Sequence, residues 1–359
     1  MLQPTGRQTA PFCAYRCSVA FFCHKPVVDA HFFSYYEDVV VISRRNKRSH
    51  AAGGCNVTAK RHPVKDLDDL LSRYETHCRG HNLLFERHRS VLSPDPSTLF
   101  TTSGMQKRKK QFSDLGLSRH TVSDIQTCFR TVDLDEIDDG VHGIRFQMLG
   151  LFSFRDWALL QGMRFWLDFV RSVGVEPTSF TVHPDRMEQV KPLWDSLGVG
   201  DRVRPDPECI WSDGEIGGYS TEFYVGDLEI GNIVNPLGDC LDCGFGLERI
   251  GMCLGLVPQR GPIETLVEGC ETLFSEGVLP GPKTQSFVFR KLLGELIRRG
   301  GHWDNPLFEQ EKERGKKLLD RYERLLRKHP GQSPQWWRET HGIDLDLAPK
   351  PEGGLTPKI

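Results

Sequence analysis

The run Leu241-Asp242-Cys243-Gly244-Phe245-Gly246-Leu247-Glu248-Arg249-Ile250 gathers a carboxylate, two glycines and an arginine. The glycines let a strand end pass close to a ligand, and Arg249 heads an amphipathic run from which a triphosphate can be held. A glycine pair alone more often marks an ordinary turn. A second cation, Arg130, ends the strand-like run Gln126-Thr127-Cys128-Phe129; an acidic loop, Asp133 to Asp139, and a further strand pattern, Ile144 to Leu149, follow it. An arginine so placed is usually a solvated surface charge. Asn232, in Glu229-Ile230-Gly231-Asn232-Ile233-Val234, and Asp242 can share an ammonium, the carboxylate supplying charge and the amide carbonyl direction. Trp211 precedes a glycine-rich turn and Glu222 lies on the strand after it, residue types that more often pack or face solvent than bind.

The elements that must position these groups are legible around them. Leu67, Leu70, Leu71 and Tyr74 recur at helical spacing after the acidic first turn Asp66, Asp68 and Asp69, and Gly80 is expected to end that helix. Ser93 to Ser97 reads as a turn and Thr98 to Thr102 as a buried strand closed by Ser103-Gly104. Asp156 to Val170 is an amphipathic helix, its stripe of Trp157, Leu160, Met163, Trp166, Leu167 and Val170 assigned to the core. Val175 to Val182 reads as a strand, Pro192 to Leu197 as a helix and Pro205 to Glu208 as a loop. Leu318, Leu319, Tyr322, Leu325 and Leu326 form a late helical stripe.

The G-x-G-L-E-R run with its preceding Asp242 resembles motif 3 of the alanyl branch of class II aminoacyl-tRNA synthetases. Cys128-x-Arg130, a short loop and His142-x-x-x-Phe146-x-Met148-Leu149-Gly150 resemble its motif 2. Leu99-Phe100-Thr101 through Gly104-Met105 is similar to the opening of that catalytic domain, and Trp211-x-x-Gly214, Thr221-Glu222-x-Tyr224 and Glu229-Ile230-x-Asn232-Ile233-Val234 follow in the family's order. The resemblance implies that Arg130 grips the ATP α-phosphate and the substrate carboxylate. It implies a nucleotide platform of Phe146 and Met148, with His142 and Gly246 beside it. Arg249 falls on the γ-phosphate, and Glu222 near the triphosphate and its Mg²⁺. For the amino acid it implies Trp211, Asn232, Val234, Asp242 and Gly244, and L-alanine as substrate. Serine and glycine stand close behind, because a methyl-sized cavity discriminates by only ~1 to 3 kcal/mol. Two departures are visible: the loop between the strands is shorter than in the family, and Val141 and Gln147 replace an expected arginine and glutamate.

Phe287 to Leu293 with Arg298-Arg299-Gly300 resembles the start of the family's tRNA-recognition helices. Its basic residues would touch an acceptor stem or form a solvated face. Trp336-Trp337 through Gly342-Ile343-Asp344-Leu345 resembles the strand that ends that region. No editing module with His and Cys zinc ligands follows in this sequence.

The net charge of −2 gives no global basic excess to attract nucleic acid. Eleven cysteines without a secreted framework read as reduced thiols in the cytoplasm, and Cys240-x-x-Cys243 lacks a second pair at zinc spacing. No run suits a membrane span. Residues 1–63, with Cys13, Cys17, Cys23, His24 and the basic patch Arg44 to Arg48, are expected to be a poorly ordered extension or an upstream reading-frame artefact, and residues 348–359 a disordered tail.

The expectation is therefore an α+β fold of class II type: a mainly antiparallel sheet flanked by helices over residues 64–258, then a small helical domain over 259–347. The expected activity is alanine activation with ATP to alanyl-AMP and pyrophosphate. The acceptor would be a small-molecule hydroxyl or amine in preference to tRNA. A paralogue that binds alanine or RNA without turnover is the reading from Val141 and Gln147.

Overall fold

The structure, a computed structural model, describes residues 63–94, 98–212 and 214–343. The extension with its cysteines and basic patch, residues 95–97 of the expected turn, Asp213 and the tail from Asp344 lie outside the described residues.

Helix α1 (Leu67–Gly80) starts where the Asp66 side chain accepts from the Asp69 amide at 2.8 Å, and it buries Leu70, Leu71, Tyr74 and Cys78. It stops at Gly80, but Asn82 makes the left-handed reversal (φ 59°), an amide serving where glycine is commoner. The sheet comprises β1 (Leu84–His88), β2 (His120–Phe129), β3 (Arg145–Phe154), β4 (Ser179–Val182), β5 (Val203–Pro205), β6 (Ile210–Ser212), β7 (Gly217–Val225), β8 (Leu228–Pro236) and β9 (Cys240–Gly246). The strand order is β1-β2-β3-β9-β8-β7-β4-β5, with β6 paired to β7. Only β1–β2 and β4–β5 run parallel; every other pair is antiparallel, as expected of the α+β class.

Side-chain alternation sorts the sheet into two faces. Ile125, Leu149, Leu151, Ile233, Cys243 and Phe245 point to one side and are buried with α1, α3 (Leu159–Ser172), α4 (Met187–Ser196) and α5 (Leu247–Cys253). The α3 stripe supplies Met163, Trp166, Leu167 and Val170 as expected, and Trp166 stacks on Phe245 with centroids 3.8 Å apart. Tyr74 fixes α1 beneath the sheet by donating its hydroxyl to the Gly150 carbonyl at 2.8 Å. The other face is left for the site.

Three expectations need correction. Thr98 to Thr102 is not a strand: Phe100 makes one isolated bridge to Leu92, and the backbone pairs at Thr101, whose amide donates to Val91 O and whose carbonyl accepts from Phe129. The helix expected at Pro192 begins earlier, at Met187, and includes that proline. Trp336 and Trp337 lie on helix α9 (Pro334–His341), not a strand, because Ser333 caps the Trp336 amide and Pro334 takes the first helical position, where no N–H partner is needed.

Helices α6 (Pro262–Ser275), α7 (Thr284–Arg298) and α8 (Pro306–Leu326) follow, with the short α2 (Lys109–Ser113) far upstream. Leu266, Cys270, Leu292 and Leu296 share one core with Phe100, Phe129, Ile137 and Ile144, so α6 and α7 pack directly on the hairpin that carries Arg130. Tyr322 and Trp337 close a satellite cluster between α8 and α9. No helix among the described residues is long and apolar enough to cross a membrane.

Candidate functional site

Cross-strand register brings distant residues into rows on the free face. One row runs Asp124, Gly150, Gly244, Asn232, Glu222 and Thr181, each directly opposite the next. The neighbouring row runs Val122, Phe152, Asp242, Val234 and Ser220. Asn232 and Asp242 are thus diagonal neighbours on one face, a relation that places Cβ atoms about 7–8 Å apart. Val234, 2% exposed, stands directly opposite Asp242.

Two glycines stand between Asp124 and Asn232 in the first row, and neighbouring side chains close over both. A Cβ at Gly150 would come within 2.4 Å of Asp124 Oδ1, and one at Gly244 within 2.9 Å of Met148 Sδ. The expected ammonium partners and methyl wall therefore share one face of the sheet with these two glycines, over which the Asp124, Phe152 and Met148 side chains fold.

Phe146, Met148 and Gly246 continue the same face toward the end where β9 stops. The Arg130 amide donates to Ile144 O at 2.8 Å, its Nε donates to Thr102 O at 2.9 Å, and its guanidinium lies 4.9 Å over the Phe146 ring. This arginine is built into the site, not left in solvent. Arg249, in the first turn of α5, donates to Glu229 O at 3.0 Å and to the Glu229 carboxylate at 3.2 Å, with its other nitrogen 3.3 Å from His142 Nε2. A guanidinium has no acceptor, so His142 Nε2 accepts and Nδ1 carries the proton that goes to Asp139, 2.5 Å away.

Glu222 accepts from Thr181 Oγ1 at 2.9 Å and from Tyr224 OH at 2.8 Å. Burial, followed by the charge of Glu229, pushes its carboxyl pKa up. Glu222 is half-buried and feels the charge of Glu229 nearby, and paired carboxylates are the donor type that suits a hard divalent cation. Sequence reasoning gave Glu229 no role. The irregularity in β7 between Phe223 and Tyr224, which brings Glu229 opposite Tyr224, is not readable from residue spacing.

Trp211 leaves β6 to pack against the cluster of Met105, Phe112, Phe152, Phe154 and Cys240. Beside it a cleft of about 290 Å³ opens between Thr102, Met105 and Gln106 on one wall and Trp211 and Glu215 on the other. Cys240 and Cys243 cannot share a metal: Cys240 belongs to this cluster and Cys243 to the opposite face of the sheet. Asp124, fully buried, is also new: Lys107 Nζ lies 3.2 Å and Arg108 Nη2 3.1 Å from it, while Glu86 meets Arg108 at 2.7 Å. Glu86, His88 and Asp124 converge closely enough to ligate a metal, but two cations already neutralise those carboxylates.

The acidic loop folds as two short 3-10 turns, Val132–Asp135 and Ile137–Asp139. Ile137 is fully buried among α6 and α7 residues, and Asp138 receives both Nη atoms of Arg299 at 2.6 and 3.1 Å. Arg290 pairs with Glu311 of α8 and Arg298 with Glu295 of its own helix, so two cations of the basic helix suggested by the sequence are already paired within the protein.

Residues 74–208 match the family of tRNA synthetases class II (A). The alanine--tRNA ligase of Desulfitobacterium hafniense (strain Y51) is 28% identical over 309 residues, covering 65% of this chain and 35% of the relative. That of Tropheryma whipplei (strain Twist) is 33% identical over 261 residues, covering 61% and 29%. The chain thus spans about a third of the length of the curated relatives it matches. Among solved structures, a histidine--tRNA ligase subunit from Alicyclobacillus acidocaldarius aligns over 59% of this chain and 98% of that chain, at 8% identity and a TM-score of 0.35.

Proposed function

We propose that this chain, similar over part of its length to class II tRNA synthetases and to alanine--tRNA ligases, activates L-alanine with ATP and passes the alanyl group to an acceptor. The observation that carries this reading is the shared face: Asn232, Val234, Asp242 and Gly244 stand on it together, and Arg130 lies on Phe146 further along it. Asp242 and Asn232 take the ammonium, Val234 and Trp211 wall the methyl group, and Arg130 turns the carboxylate toward the nucleotide. Phe146 and Met148 carry the adenine. An alanine carboxylate oxygen attacks the α-phosphorus in line, the bond to the β-phosphate oxygen breaks, and pyrophosphate leaves as alanyl-AMP forms.

Arg130 and Arg249 neutralise the charge that builds on the phosphates, and such transfers depend mainly on positioning and electrostatics. For Arg249 to reach a phosphate, Glu229 must give it up; the anionic phosphate chain competes for the same guanidinium. Glu222 and Glu229 would hold Mg²⁺, which supplies charge neutralisation along the triphosphate. In the second half-reaction an acceptor hydroxyl or amine attacks the alanyl carbonyl carbon, its proton is lost and AMP departs.

A small-molecule acceptor is favoured by the loop after Arg130. It carries five acids in the seven residues from Asp133 to Asp139 and is fastened to α7 by Ile137 and Arg299. Such a loop repels a phosphate backbone and is not free to wrap one. The tRNA reading is favoured by a different feature: Lys317, Arg321, Arg324 and Lys328 recur at helical spacing along exposed α8 and its end. Alanine-dependent exchange of pyrophosphate into ATP tests the activation step. Absence of exchange with every amino acid would remove both enzyme readings and leave the binding paralogue. Charging of an alanine-specific tRNA at cellular enzyme levels would overturn the preference for a small acceptor.

A further inference from the structure

We infer that Arg299, in the helical region, is a positioning residue for the nucleotide half of the reaction, acting on Arg249 through Asp138, Asp139 and His142. This rests on the reading of Arg249 as a phosphate-binding group. The connection is continuous. Arg299 follows α7 directly and grips Asp138 through both Nη atoms, while its Nε is held by Glu295 at 2.6 Å. The next residue, Asp139, uses one carboxylate oxygen to accept the amides of Val141 at 2.7 Å and His142 at 2.8 Å, and the other to orient the His142 ring. His142 Nε2 then faces Arg249 Nη2.

The loop that carries this chain of contacts has little room to adjust. Ile137 is sunk in the core shared with α6 and α7, and Gly140 (φ 74°) has the Gln259 side chain 3.2 Å from where a Cβ would stand. Both contacts come from or near the helical region, so that region sets where Asp139 sits and hence how His142 is aimed. Burial alone would raise the Asp139 pKa, yet the two amides and the His142 ring bring it below the ordinary range, so the carboxylate that orients the ring stays ionised at neutral pH. Releasing Arg299 frees the acidic loop, lets His142 turn and leaves Arg249 held by Glu229. The nucleotide then meets an arginine aimed at the wrong group.

The test uses the full chain with Arg299→Ala, Arg299→Lys and the exchanged pair Arg299→Asp with Asp138→Arg. Pyrophosphate exchange is measured with ATP and alanine titrated separately, alongside thermal melting. The expected result is an ATP KM raised about 3- to 10-fold by Arg299→Ala with the alanine KM unchanged, the size of effect reached when one bidentate surface pair is lost. Arg299→Lys should fall between, and the exchanged pair should recover most of the loss. An unchanged ATP KM overturns the inference, as does a parallel loss in both KM values that follows the melting temperature and is not recovered by the exchanged pair.

If the wild-type chain shows no exchange, the activation reading fails by itself. MgATP binding measured by calorimetry on the same variants then decides the inference: weakened binding supports it and equal binding overturns it. A wild-type chain that binds no ATP overturns both.

Discussion

Val234 and Asp242 face each other directly across the β8–β9 ladder, so an apolar wall and a carboxylate share one pleat of the sheet. A zwitterion whose ammonium meets Asp242 would therefore bring its α-carbon substituent against the Val234 side chain, which is almost fully buried and cannot retreat. Trimming Val234 to alanine removes that wall. The preference for alanine over serine should fall about 10-fold in pyrophosphate exchange, within the range that a methyl-scale pocket difference gives. An unchanged ratio would show that the methyl group lies elsewhere.

Asp242→Asn keeps the shape of the pocket and removes its charge. Truncating one partner of a hydrogen-bonded charge pair costs about 2–5 kcal/mol in comparable cases, so alanine-dependent exchange should drop at least ~30-fold. ATP affinity, which the proposed function assigns to Phe146, Met148 and Arg249, should stay within about 3-fold. Full alanine activity in this variant would mean that another group holds the ammonium.

Gly150 and Gly244 are opposite each other, yet substitution should separate stability from binding. A Cβ at Gly150 meets buried Asp124 Oδ1 at 2.4 Å and the Phe152 ring at 2.7 Å, neither of which can move without disturbing the ion network or the cluster under Trp211. Gly150→Ala should cost about 2–3 kcal/mol by overpacking, read in chemical denaturation. At Gly244 the nearest atom is the flexible end of Met148, which can shift. Gly244→Ala should melt close to the wild type but crowd the face beside Asn232, raising the alanine KM about 10-fold. Equal destabilisation by both would show that Met148 is as fixed as Asp124.

Much of this arrangement was legible because strand alternation is a property of the sequence. Once Asn232, Val234, Asp242 and Gly244 are placed on adjacent antiparallel strands, their common face follows from residue parity alone. The sites at Arg130 and Arg249 were legible as residues but not as geometry: neither the Thr102 carbonyl that fixes Arg130 nor the Glu229 carboxylate that occupies Arg249 is close in sequence. Asp124 was invisible because its partners Lys107 and Arg108 sit on a short helical turn well before it in sequence, and Arg108 is shared with Glu86 on β1. The acidic loop reads as a solvated charge run, and only tertiary packing shows Ile137 acting as an anchor between acids. Trp336 and Trp337 were misassigned to a strand because family resemblance outweighed the local Ser333-Pro334 helix start.

Glu222 connects function to stability through its ionisation. Burial first, and the nearby Glu229 charge second, raise its pKa in the folded chain above the ordinary carboxylate value. The folded state therefore binds more protons than the unfolded state in the range just above that value, and stability contributed by this group falls as pH rises through it. Ionised Glu222 is a net burden on the ligand-free fold, offset in part by the hydroxyls of Thr181 and Tyr224, which both donate to one oxygen. Glu222→Gln keeps an acceptor oxygen for both donors and removes the charge. The variant should melt above the wild type at pH 8 without nucleotide, the difference shrinking as pH falls and the wild-type group takes up its proton. With Mg²⁺ and ATP the order should reverse, because the wild type gains binding stabilisation that the variant lacks. A variant that melts below the wild type at every pH, or that keeps the full Mg²⁺-dependent shift, would separate Glu222 from the metal and leave Glu229 as its remaining candidate.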